Sequence, residues 1–232
     1  MNNIEFFFYL KSDQIKIVAF DKEIKKIIIE KKIKDKIYYN NKELITNLDK
    51  IFKEVIIDIE NRTNKQLSII NLVIDTPFNY KINASIKKNF DGLKISKNQI
   101  QYLVQDLKQQ IKKTSDNIKI NHILINEVSM DGKIIDFLPI DMYCDDLIFT
   151  LEFICFPKSL IYSLENFFKS HQIKFNSILC ANYVESFLND GFKTTYEAAI
   201  ALNNDYNYNE VSIIPKKMTK MGFFERFFHM FS

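Results

Sequence analysis

"IEFFFYLKSDQIKIVAFDKEIKKIIIE" (residues 4–30) decides the fold of this chain. Three short apolar runs, "IEFFFYL", "IKIVAF" and "KIIIE", alternate with charged breaks. The pattern predicts a three-stranded meander within the first 40 residues. The period then changes. From Asn41 to Arg62, Leu44, Leu48, Ile51, Phe52, Val55 and Ile59 fall on one helical face. "LSIINLVID" (67–75) follows as a buried strand, stopped by Thr76-Pro77. Meander, helix and strand open an α/β body.

A second unit starts near Gly92. Ser96 with Gln99 forms a capping-box pattern, and Ile100, Leu103, Val104, Leu107 and Ile111 continue it as an amphipathic helix. Strands are expected at 118–128, 132–138 and 147–156, the first two joined at Asp131-Gly132, a hairpin signal. Pro157 suits the first turn of another helix, with Leu160, Ile161, Leu164, Phe167 and Phe168 as its core face. A strand at 173–180 ends the unit. A short helix from Asn182, another at 194–203 and a polar loop at 203–210 lead to the tail. The whole reads as an α/β body interrupted by an α+β insertion.

Composition narrows the function. Apolar residues make up 47 % of the chain, enough for a sizeable core. With only 4 glycines, folds built on several glycine-rich phosphate loops lack their material. The formal net charge of +3 lies in the tail, where Lys216, Lys217, Lys220 and Arg226 face one Glu225. The rest is balanced, unlike the basic body of a nucleic-acid binder, so no nucleic-acid partner is expected. Cys144, Cys155 and Cys180 have no CxxC spacing and suit reduced thiols. No signal peptide is expected, because Met1–Leu10 lacks a basic n-region and a small-residue cleavage site. Its most apolar interior run, "LIFTLEFICF" (147–156), contains Glu152 and is too short to span a bilayer.

Isolated titratable residues do not make an active site. His122, His171 and His229 have no nucleophile motif beside them, and Asp136, Asp145 and Asp146 suit turns and solvated strands. His122 reads as a strand-start residue and His171 as a helix C-terminal one. No catalytic, nucleotide-binding or metal-binding residues are expected, and no cofactor.

The tail is different. In "KKMTKMGFFERFFHMFS" (216–232), Met218, Met221, Phe224, Phe227, Phe228 and Phe231 share one apolar arc, with Phe223 and Met230 at its margin. Thr219, Gly222, Glu225, Arg226 and His229 form the polar wedge. Aromatics coupled to Lys216, Lys217, Lys220 and Arg226 fit an interfacial helix on anionic lipid. A last helix packed on the body, or one held in a partner groove, fits the same amphipathicity.

"INHILINEVSMDGKIIDFLPIDMYCDDL" (120–147) and "SLIYSLENFFKSHQIKFNSILCANYVESFL" (159–188) resemble the inserted 1C subdomain of the bacterial cell-division protein FtsA, an actin-like membrane tether. Asp131 and Pro139 match its turn and proline, whereas Asp141 and Cys144 replace two glycines. "YEAAIAL" (196–202) is similar to the family's late 1A helix, with Ala201 for glycine, and the tail to its membrane-targeting helix. The resemblance implies a truncated actin-like (FtsA 1A-like) body at 1–94 and 178–203 and a 1C-like interaction subdomain at 95–177. A linker at 204–215 and an amphipathic membrane helix at 216–232 complete the layout.

Departures from the family shape the function it implies. Actin-like ATPases bind phosphate through a "D-x-G-T/S" hairpin, but "YLKSDQIK" (9–16) has Tyr9 for the aspartate and Lys11 for the glycine. The second phosphate loop and domain 2 are expected to be absent. The implied protein is a non-enzymatic division adaptor, peripheral on the cytoplasmic face of the bacterial membrane at the division site. Its implied partners are anionic lipid and an FtsN-like divisome protein, with self-association open. The family's FtsZ-tail site lies in subdomain 2B, which makes direct FtsZ binding doubtful. Two alternatives are a divergent actin-like ATPase completed by a second chain and a PilM-like pilus-assembly scaffold.

Overall fold

A computed structural model describes residues 4–11, 13–34 and 41–211. The chain runs β1 (Ile4–Leu10), β2 (Gln14–Asp21), β3 (Lys26–Lys34), α1 (Asn41–Thr63) and β4 (Ile69–Ile74). It continues through β5 (Tyr80–Asn89), α2 (Lys97–Thr114), β6 (Ile118–Met130), β7 (Lys133–Ile135) and β8 (Asp146–Pro157). It closes with α3 (Lys158–Ser170), β9 (Lys174–Cys180), α4 (Ala181–Ser186) and α5 (Thr195–Asn203). Among the described residues two compact units result: those from 4 to 79 with Pro157–Tyr206, and Tyr80–Phe156 with 207–211.

The first unit holds a five-stranded sheet in the order β3-β2-β1-β4-β9. The expected meander pairs antiparallel, while β4 runs parallel to both β1 and β9. Parallel strands need cover on both faces, and β1 has it, with every residue from Phe6 to Leu10 buried. Phe8 meets α1 and α3, its ring 6.0 Å from Phe52 and 5.0 Å from Phe168. Phe7, on the opposite face, lies 5.2 Å from Tyr196 of α5. Alternation along one strand thus joins helices on both sides of the sheet.

The second unit holds a four-stranded sheet in the order β5-β8-β6-β7. Helix α2 starts at the expected capping box: Gln99 N–H donates to Ser96 Oγ and Ser96 N–H to Gln99 Oε1. Its buried face is the five residues read from the sequence, packed with Leu147, Phe149, Leu151 and Phe153 of β8. Asp131-Gly132, at φ 52° and 76°, makes the two-residue turn between β6 and β7.

The unit boundaries differ from the expected 95–177. Tyr80–Asn89, assigned above to the body, pairs along its whole length with β8 and so begins the second unit. Conversely, α3 packs its Phe167 and Phe168 rings on Phe52, and β9 pairs with β4, so both belong to the body. The expected linker, 204–215, also differs over its described part. Ile125 N–H donates to Asn209 O and Val211 N–H to Ile123 O, which strap 209–211 onto the edge of β6. Val211 is buried in the second core.

Candidate functional site

Ligands of α/β sheets sit at the carboxyl ends of parallel strands, here the ends of β1, β4 and β9. The phosphate hairpin of an actin-like ATPase would lie there. Instead, the Tyr9 hydroxyl donates to Glu185 Oε1 of α4 at 2.6 Å. Lys11 Nζ pairs with Asp75 Oδ2 at 3.4 Å. The ammonium groups of Lys11 and Lys16 stand 5.3 and 5.9 Å from the centre of the Tyr9 ring. Burial, and next the Glu185 carboxylate, hold the Tyr9 phenol protonated well above its ordinary range.

The backbone there is committed as well. Lys11 N–H donates to Gln14 O and Asp75 N–H to Leu10 O, so neither amide points outward as a phosphate donor. Chemically, Tyr9, Lys11 and Asp75 are each engaged with a partner here. Tyr9 and Lys11 were legible as departures from the phosphate hairpin. Glu185 and Asp75 were not, because nothing local ties them to it.

A second polar centre went unread in the sequence. Asn71, on β4, is 3 % exposed. Its Oδ1 accepts from Asn176 Nδ2, Ser177 Oγ and Asn203 Nδ2, and its Nδ2 donates to Glu5 Oε2. One side chain thereby ties β4 to β1, β9 and α5, next to the register shift between Ile70 and Asn71. Beside it lies a cavity of about 240 Å³ lined by Ile4, Glu5, Phe6, Lys65, Asn71 and Asn176, among others. Burial, then Lys22, lower the Lys65 ammonium, and Glu5 opposes them. The signal was present: one asparagine inside the apolar run "LSIINLVID".

All of the expected membrane-binding residues, from Lys216 to Phe231, lie outside the described residues. His122 is buried on β6, its Nδ1 2.7 Å from Glu210 Oε1 and its Nε2 2.7 Å from Asn121 Nδ2. His171 caps α3 and packs against Phe52 and Phe167. Asp145 and Asp146 donate their N–H groups to Asp131 Oδ1, a turn role. The three cysteines are buried and unbridged, and burial pushes the Cys155 thiol up to about 11. Among the described residues, no group of three or more His, Cys, Asp or Glu is placed to hold a metal ion. No described helix is long and apolar enough to cross a membrane.

No protein family and no curated protein matches the chain. Solved structures of similar fold do. A chain of the PilM–PilN type IV pilus biogenesis complex aligns over 87 % of this chain and 52 % of its own, at 6 % identity and a TM-score of 0.51. The cytoplasmic domain of EpsL, an inner membrane component of the type II secretion system of Vibrio cholerae, aligns over 78 % and 57 %, at 11 % identity and a TM-score of 0.38. A Bacteroides thetaiotaomicron protein with an actin-like ATPase fold and unknown function aligns over 81 % and 56 %, at 12 % identity and a TM-score of 0.37. The chain spans little more than half the length of these neighbours. With the sheet order above, the PilM–PilN likeness is one of fold: an α/β body carrying a second, α+β unit.

Proposed function

We propose that this chain is a non-catalytic scaffold of the actin-like class, holding partner chains at a membrane surface in the manner of a PilM-like pilus-assembly protein. The observation that carries this reading is the pairing of polar groups at the strand ends. Tyr9 is hydrogen-bonded to Glu185 and Lys11 is paired with Asp75 where a nucleotide's phosphates would need free backbone donors. The fold likeness to a chain that forms a complex with PilN supports the choice of a partner-binding scaffold. Membrane attachment rests on the composition of residues 216–232.

A division adaptor of the FtsA kind is the second reading, favoured by the resemblance of 120–147 and 196–202 and by the tail. Two experiments separate the readings. Calorimetric titration with Mg-ATP is expected to give no heat of binding, and micromolar affinity of the isolated chain defeats the scaffold. Affinity capture from the native organism is expected to recover pilus-assembly components. Recovery of division-ring proteins in their place selects the adaptor.

A further inference from the structure

The hairpin joining β2 to β3 turns an apolar and basic stretch outward. Every residue from Lys22 to Ile28 is exposed, including Ile24 at 60 %, Ile27 at 39 % and Ile28 at 45 %. Simple alternation would bury one of two adjacent isoleucines. The register shifts instead: Ala19 faces Ile29 and Phe20 faces Ile27, which leaves Ile28 as the extra residue of a β-bulge. Ile27 and Ile28 therefore both stay outside, while Ile29 returns to the core. At the tip, Asp21 Oδ1 accepts the N–H groups of Glu23 and Ile24, and Lys25 takes a left-handed φ of 52°. Ile24 is thus held at a built turn.

The charges around these isoleucines differ in their commitments. Lys22 is paired with Glu5, Lys31 with Asp58 and Lys32 with Glu30. Lys25 and Lys26 make no ion pair among the described residues. We propose that this hairpin is a lipid-contact site, in which Ile24, Ile27 and Ile28 enter the headgroup boundary of an anionic bilayer and Lys25 and Lys26 meet its phosphates. Exposed aliphatics beside uncommitted lysines are the chemistry of an interfacial contact. A second copy fits less well, because a bulge and edge lysines oppose strand pairing and two such edges bring like charges together. The inference deepens the membrane reading of the tail and rests on it for its biological sense.

The three native cysteines are buried, so Ile24→Cys accepts an environment-sensitive dye selectively in the full chain. Its emission is expected to shift to the blue on vesicles of phosphatidylcholine with phosphatidylglycerol. An unchanged spectrum on those vesicles overturns the proposal. In co-sedimentation, Lys25→Gln with Lys26→Gln is expected to weaken binding by about tenfold or more, the order for two lysines leaving an anionic surface. Ile24→Asn with Ile28→Asn is expected to weaken it by about tenfold. Wild-type binding by both pairs overturns the hairpin contact and leaves the tail untouched. Loss with these pairs but not with Phe224→Glu and Phe228→Glu keeps the hairpin and removes the tail. If the hairpin pairs leave vesicle binding intact but convert a dimer to a monomer in sedimentation velocity, a second copy covers the patch and the lipid contact is wrong.

Discussion

In the first sheet, β1 buries five consecutive residues, Phe6 to Leu10, whereas β5, at the edge of the second sheet, fully buries none of its ten. The contrast follows from cover. β1 is central, with α1 and α3 on one face and α4 and α5 on the other, so both sets of side chains leave water. On β5 only Ile82, Ala84 and Ile86 pack on the second core. The opposite face carries Lys81, Asn83, Ser85 and Lys87, with Lys81 paired to Glu152 and Ser85 hydrogen-bonded to Thr150. Stability should therefore be concentrated in the first sheet, and tolerance in the outer face of the second.

The sharpest way to break this comparison is at its centre. Phe8→Ala removes a ring packed between Phe52 and Phe168 and is expected to cost about 3–5 kcal/mol, measured by urea unfolding. A loss no larger than that for Ile82→Ala on β5 would refute the contrast. Next comes the polar hub. Asn71→Ala leaves Glu5, Asn176, Ser177 and Asn203 without their shared partner, at an expected cost of about 2–3 kcal/mol. Asn176→Ala in the Asn71→Ala background should then cost less than it does alone, because the two share one bond.

Tyr9→Phe tests the strand-end cluster. Losing the bond to Glu185 is expected to cost about 1–2 kcal/mol at neutral pH. The pH profile gives a second readout. The folded state raises the Tyr9 pKa, so its contribution is fully present below the unfolded value near ~10 and is lost as pH climbs above that value toward the folded one. The wild type should lose stability in that alkaline window more steeply than Tyr9→Phe, and parallel slopes would count against a protonated, buried Tyr9. The smallest effect belongs to the outer face of β5. Lys81→Ala breaks an exposed pair with Glu152 and should change stability by less than about 0.5 kcal/mol.

The faces of α2 and α3, the Ser96–Gln99 box and the Asp131-Gly132 turn were legible because each is a property of consecutive residues. The β5 strand was less so. In "YKINASIKKN" Tyr80, Ile82, Ala84 and Ile86 alternate among lysines and asparagines, but none is large and fully buried, since an edge strand buries one face weakly. The candidate site was half legible: Tyr9 and Lys11 stood out against the phosphate hairpin, but Glu185 lies 176 residues from Tyr9 in sequence.

What the sequence by itself determined is therefore most of the elements, the buried faces of α2 and α3, the Ser96–Gln99 cap and the lack of glycine in the β1–β2 turn. Only the tertiary structure decided that β9 joins the first sheet, that β5 opens the second and that 209–211 returns to β6. The physical reason is that periodicity and capping act between side chains a few residues apart. A strand's N–H and C=O groups, by contrast, are the same in every strand and pair with whichever edge the packing of distant helices brings alongside.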